Sequence, residues 1–411
     1  MASIRINADR IQTRLAELSQ LGRTPEGGVT RLSYRAEHAA AIRLVARWMR
    51  EAGADVGLDA WGNLFGVVPG SLASLPSIAA GSHLDTVPNG GVFDGALGIV
   101  GAVEVAAALH DARATLRHPL LLLAFAEEEG TSFGVGCLGS LGFVGRAPAP
   151  ETLRDPDGTP LSEQLRAFDP GVPRRPLSAP LVAYLELHIE QGPTLASQGV
   201  PLAAVEAIVG ISRAAFVFVG EANHAGTTPM DVRRDALWGA ADLVAAVRTM
   251  ARDTGGQAVG TVGRCTVSPG ATNVVPGRAE TVVELRSPDG HLLETLRERV
   301  EASARACAGR YGLSLEARPW RTEPPVPLNR AVRDEIIAAA GELGWPIVTM
   351  PSWAGHDAKI LASVAPAGMI FVPSHGGVSH SPREQTAWED AVRGVQVLCR
   401  AVERLDDASA G

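Results

Sequence analysis

The chain has 411 residues, 46% hydrophobic and 20% charged, with 37 basic against 45 acidic side chains and a formal net charge of −8. This balance argues against nucleic acid, whose recognition needs a basic stripe, and the apolar fraction argues against disorder. Four scattered cysteines without a CxxC pair read as small buried hydrophobes. No apolar run reaches the ~18 residues of a bilayer span, so the expectation is a soluble, cytoplasmic chain with no membrane partner.

Apolar spacing predicts amphipathic helices over 7–20 and 36–53, then short strands over 64–68 and 77–82. A small-residue helix over 96–109 precedes the all-apolar run 119–126, the mark of a strand buried on both faces. Residues 145–180, rich in Pro, Arg and Asp, read as loops and short helix outside the sheet. Further strands are expected at 181–187 and 368–372, and a closing helix at 386–405. Between them, 212–321 has its own rhythm: strand 214–219, helix 235–253, strands 258–267 and 280–285, helix 290–311, strand 313–317. That βαββαβ order is ferredoxin-like. The expected fold is therefore α/β: a mixed-sheet domain over 1–211 and 325–411, interrupted by an inserted ferredoxin-like α+β domain over 212–324.

Four of these strands deliver histidine or carboxylate at their carboxyl ends, the edge at which open α/β sheets bind ligands. His83 and Asp85 follow one strand, Glu127, Glu128 and Glu129 the next, then His188 with Glu190, then His375 with His380. Asp94 lies on the Gly-rich loop 89–95 of the same edge. Carboxylates crowded into one cleft need a cation, and imidazole with carboxylate suits zinc, manganese, cobalt or nickel. Asp85, two residues past His83, is placed to hold that histidine's other ring nitrogen. His38, His110, His118 and His291 fall on helices or turns and read as surface residues.

The stretches SHLDTVPNGGVFDGALG, FAEEEGTSFGVGCLGS, LELHIEQGP, NHAGTTPMDVRRDAL, GATNVVPG, AGHDAK and MIFVPSHGGVSHSPRE occur in this order along the chain. Together they resemble the hydantoinase/carbamoylase amidase branch of the metal-dependent aminoacylase–carboxypeptidase superfamily. The resemblance implies two divalent ions per subunit, zinc as isolated or else manganese, cobalt or nickel. His83, Asp94 and His188 would hold one, and Asp94, Glu129 and His380 the other. It makes Glu128 the general base and has Asp85 orient His83. It makes Gln191, His224, Asn273, Arg286, Gly355 and His356 substrate contacts, with His224 stabilising the oxyanion and Arg286, helped by Asn273, gripping a carboxylate. It also implies a homodimer joined through the inserted domains, and closure of that domain to complete the site.

The activity so implied is cleavage of the ureido C–N bond of N-carbamoyl-L-amino acids. Allantoate amidohydrolase and β-ureidopropionase are the alternatives. A dipeptidase or aminoacylase is disfavoured by His188, where the exopeptidase relatives commonly carry a carboxylate. Ser132, Trp353 and the pair His375–Gly376 depart from the branch's usual residues without touching an expected metal ligand.

Overall fold

The computed structural model describes residues 4–177 and 180–408. The two N-terminal amphipathic patterns form α1 (Ala8–Gln20) and α2 (Ala36–Glu51). The antiparallel pair β1 (Asp55–Leu58) and β2 (Leu64–Val68) comes next, then β3 (Ser77–His83), α3 (Ala96–Asp111), β4 (Leu120–Phe125) and β5 (Leu181–Ile189). Residue contacts divide the chain into two units, Met1–Glu206 with Leu328–Gly411, and Ala207–Pro327.

The first unit is a mixed sheet in the order β1-β2-β4-β3-β5, continued by Ala367–Val372 and Ala203–Ile208. β4, β3, β5 and Ala367–Val372 run parallel, so their carboxyl ends share one edge. Every residue of β3, β4 and Ala367–Val372 is buried, which is why their sequences are continuous rather than alternating. α3 lies on this sheet as a helix of Ala, Gly and Val buried almost end to end. Its Gly98 is needed there, since a Cβ would fall 2.4 Å from the Leu187 carbonyl oxygen. The closing helix Trp388–Ala408 packs beside α3, and its Val395, Val397, Leu398 and Val402 join Leu187 in one core cluster.

Two histidines expected on the surface are buried, His38 at 1% and His118 at 3% exposure, and Cys265, expected inside, is exposed. Each histidine finds polar partners that the sequence does not advertise. The Tyr34 N–H donates to His38 Nδ1 at 3.1 Å, and the His38 ring stacks on Phe168. His118 Nδ1 sits 2.7 Å from the Pro76 carbonyl oxygen.

Burial, with the Arg31 guanidinium adding to it, lowers His38 from 6.5 to about 3. Between those values the unfolded chain binds a proton that the folded chain does not, so stability falls as pH drops through that window. At pH 5 the loss relative to pH 7 is about 2 kcal/mol, from ~1.5 units at ~1.36 kcal/mol each. His38→Asn, whose side-chain oxygen still accepts the Tyr34 N–H, is expected to shrink the pH 7-to-5 loss of urea stability by about that amount. An unchanged loss would place the acid sensitivity elsewhere.

The second unit has an antiparallel sheet in the order Ser314–Ala317, Gly210–Val219, Arg278–Ser287, Val259–Ser268. Residues of Arg278–Ser287 alternate between buried and half-buried, as a sheet covered on one face requires. The helices Ala236–Arg252 and Gly290–Arg310 share a core with it, built around Phe216, Phe218, Leu243, Leu285 and Leu296.

Candidate metal centre

The shared carboxyl edge of the first unit gathers its polar side chains in a few ångströms. β3 ends on His83 and β5 carries His188. The turn after β4 carries Glu127, Glu128 and Glu129, and Asp94 lies just before α3. Ligand atoms of His83, Asp94 and His188 all lie within 4.8 Å of one another, and so do those of Asp94, Glu129 and His380. Asp94 belongs to both sets. Its Oδ1 lies 3.3 Å from His83 Nε2 and 3.1 Å from His188 Nε2, and its Oδ2 lies 3.4 Å from His380 Nε2. His380 Nε2 is also 3.4 Å from Glu129 Oε1.

The hydrogen bonds around the first set assign its tautomers. His83 Nδ1 faces the Asp85 carbonyl oxygen at 3.0 Å, and His188 Nδ1 faces that of Ile189 at 2.9 Å. Each Nδ1–H therefore donates to main chain, and each Nε2 is left as an acceptor beside Asp94, that of His188 also meeting the Gly95 N–H at 3.3 Å. Asp94 Oδ1 is buried and accepts no hydrogen bond. Two imidazole nitrogens and a carboxylate oxygen gathered this closely fit a divalent cation, and the N/O donor set suits zinc or its neighbours.

Electrostatics point the same way. Burial favours the neutral form of His83 and His188, yet the Asp94 carboxylate outweighs it and raises both. His380 is pushed up to about 9, chiefly by Asp94. Burial, with Asp94 adding to it, pushes Glu129 up to about 7, and burial raises Glu128 well above the carboxylate range. Buried carboxylates and imidazoles that push one another's pKa upward are groups whose charges a divalent cation would balance.

The three glutamates divide the work. Glu127, at φ 58°, accepts the N–H groups of Ser132 and Phe133 at 2.6 and 2.8 Å and so closes its own loop. Glu129 faces His380. Glu128 Oε1 accepts the Cys137 thiol at 3.2 Å, and the nearest approach to a Cβ built on Gly355 is Glu128 Oε1 at 3.9 Å. Gly355 is exposed, so open space lies beside Glu128.

Several expected positions are corrected by the structure. Asp85 reaches His83 with its backbone carbonyl; its carboxylate accepts the N–H groups of Glu128 and Glu129 at 3.1 and 3.2 Å. His356, expected to touch substrate, is buried against the His188 ring, with its Nε2 2.8 Å from Ser352 Oγ. Glu190 caps the helix Thr194–Gln198 by accepting from Thr194 and Leu195, and His375 is exposed outside both ligand sets. Gln191 donates to Asp94 Oδ2 at 2.8 Å, so it touches the shared carboxylate itself.

In the second unit, His224 pairs with Val274, and the Ala225 N–H donates to the Asn273 carbonyl. Arg286 lies near the far end of the strand Arg278–Ser287, opposite Ile211, and its Nε donates to Glu284 at 2.8 Å. Arg278, at the near end, pairs with Val219, which leads toward His224. Eight strand residues, roughly 26 Å, separate the two ends. Within one chain Asn273 and Arg286 thus lie toward opposite ends of that strand. Sequence reasoning also missed Cys137, Ser379 and Glu384, for which no motif-independent signal exists.

Residues 79–404 match the model of peptidase family M20/M25/M40. The chain belongs to this family. It is 40% identical over 406 residues to the N-carbamoyl-L-amino acid amidohydrolase of Geobacillus stearothermophilus, covering 97% of this chain and 99% of that one. Allantoate amidohydrolase of Escherichia coli K12 is 34% identical over 404 residues, 96% of this chain and 97% of its own. A hydantoinase/carbamoylase family amidase from Burkholderia multivorans superposes with a TM-score of 0.93 at 34% identity, covering 98% of each chain. Within the M20 family the chain thus falls in the hydantoinase/carbamoylase branch. It is a hydrolase of carbon–nitrogen bonds other than peptide bonds, in a metal-dependent family.

Proposed function

We propose that the chain cleaves the ureido C–N bond of N-carbamoyl-L-amino acids, giving the amino acid, ammonia and carbon dioxide. The observation that carries this reading is the pair of donor sets sharing Asp94, in a chain so similar along its length to an N-carbamoyl-L-amino acid amidohydrolase. His83, Asp94 and His188 would hold one divalent ion, and Asp94, Glu129 and His380 a second. Such a pair, when bound, acidifies water and polarises a carbonyl.

The chain's own groups supply the rest. Glu128 takes the proton of the attacking water and delivers it to the leaving nitrogen. The exposed Gly355 beside its Oε1 leaves room for the reacting group. His224 Nδ1 accepts the N–H groups of Gly226 and Thr227 at 3.0 and 3.2 Å, which leaves Nε2–H as a donor suited to a developing oxyanion. Arg286 would hold the substrate carboxylate as a charge-assisted donor. A grip shared by Asn273 and Arg286 then takes two subunits, so a homodimer belongs to the proposal. The second unit serves in it as the ferredoxin-like lid and dimerisation domain. Light scattering that finds a strict monomer would remove the shared grip.

The similarity to allantoate amidohydrolase supports a second reading, since allantoate also combines ureido groups with a carboxylate. Rates on N-carbamoyl-L-methionine, allantoate and N-carbamoyl-β-alanine, measured side by side, test the two. The expected order puts N-carbamoyl-L-methionine first by at least about tenfold in kcat/KM, a difference of ~1.4 kcal/mol. A preference for allantoate would replace the first reading with the second.

A further inference from the structure

Glu384 is buried and reaches across 290 residues of sequence to the loop that carries Asp94. Its Oε1 accepts the backbone N–H groups of Phe93 and Asp94 at 2.9 and 3.1 Å. Its Oε2 lies 2.8 Å from Ser379 Oγ, which in turn lies 2.9 Å from Asp94 Oδ2. The loop is shaped for this approach, because a Cβ on Gly91 would fall 1.9 Å from Glu384 Oε1.

The geometry points to Glu384 as a positioning residue that sets the affinity of the outer cation set, Asp94, Glu129 and His380, and leaves the inner set, His83, Asp94 and His188, unaffected. This rests on the two-ion reading above. Two arguments lead to it. First, Glu384 ties the segment of His380 to the segment of Asp94, two ligands of the outer set that otherwise sit on separate loops. The inner set draws its other two ligands from β3 and β5, which the parallel sheet already aligns. Second, Ser379, the residue before His380, is held between Glu384 Oε2 and Asp94 Oδ2, so the backbone that aims the His380 ring is fixed against the carboxylate it must meet.

The test is calorimetric titration of the metal-stripped full chain with Zn²⁺ or Co²⁺, with bound metal counted independently. Wild type is expected to take two equivalents per chain. In Glu384→Ala the second equivalent should bind about 10–100-fold more weakly, with the first within about threefold of wild type. Glu384→Gln still accepts both backbone N–H groups through its amide oxygen and should recover most of the loss. Ser379→Ala, which removes only a hydroxyl, keeps the question answerable if Glu384→Ala does not fold, and should weaken the second equivalent alone. Unchanged binding of the second equivalent in these variants, or equal weakening of both, overturns the assignment. A wild type that takes fewer than two equivalents overturns the two-ion reading instead, and the role of Glu384 with it.

Discussion

Glu128→Gln is expected to bind metal as the wild type does and to lose about 10²–10⁴-fold in kcat, the usual contribution of a general base. Glutamine keeps the shape of the side chain, and its amide oxygen still accepts the Cys137 thiol, so the surrounding loop has no reason to move. What it lacks is a carboxylate able to take a proton. Glu128 stands outside the two sets that share Asp94, but it does join His83 and Glu129 in a further cluster of donors. The paired measurement therefore decides its role: kcat on N-carbamoyl-L-methionine and metal content on the same preparation. A fall in both would make Glu128 a ligand, and activity within about tenfold of wild type would move the base elsewhere.

Asp94→Ala is expected to lose both ions together and with them at least about 10³-fold in kcat/KM, since polarisation by a bound cation is worth several kcal/mol. The reason lies in the carboxylate's two oxygens, one turned to His83 and His188 and the other to His380. No other residue belongs to both sets. Metal analysis of the purified variant, beside Glu129→Ala, checks this. Glu129→Ala should keep one ion; an Asp94→Ala chain that still holds one would show that the carboxylate does not bridge.

Much of this centre was legible because apolar strands end where their side chains turn polar. The uninterrupted apolar run before Glu127 reads as a strand covered on both faces, and the residues just past such strands lie on one edge if the strands are parallel. That places His83, the glutamates and His188 near one another from sequence pattern alone. The sharing of roles within the edge was not legible. Whether a carboxylate faces a cation, an N–H group or a thiol depends on backbone dihedrals at single residues: Glu127, Gln191 and His380 all take positive φ without being glycine. Nothing local marks Glu384 either, because the backbone N–H groups it accepts arrive from about 290 positions away. His38 read as a surface residue since polar side chains mostly are; its burial is compensated by a backbone N–H that only the folded turn supplies.

The element types, the metal-binding chemistry of the strand ends and the family follow from periodicity, residue type and motif order, which are properties of the chain read in one dimension. Three other features needed the folded chain. Asp94 presents a different oxygen to each donor set, Asp85 serves through its carbonyl, and Asn273 lies beyond the near end of the strand whose far end carries Arg286. These are matters of direction and of distance. They arise from sheet register and from hydrogen bonds between segments far apart in the chain, which carry no mark in local sequence.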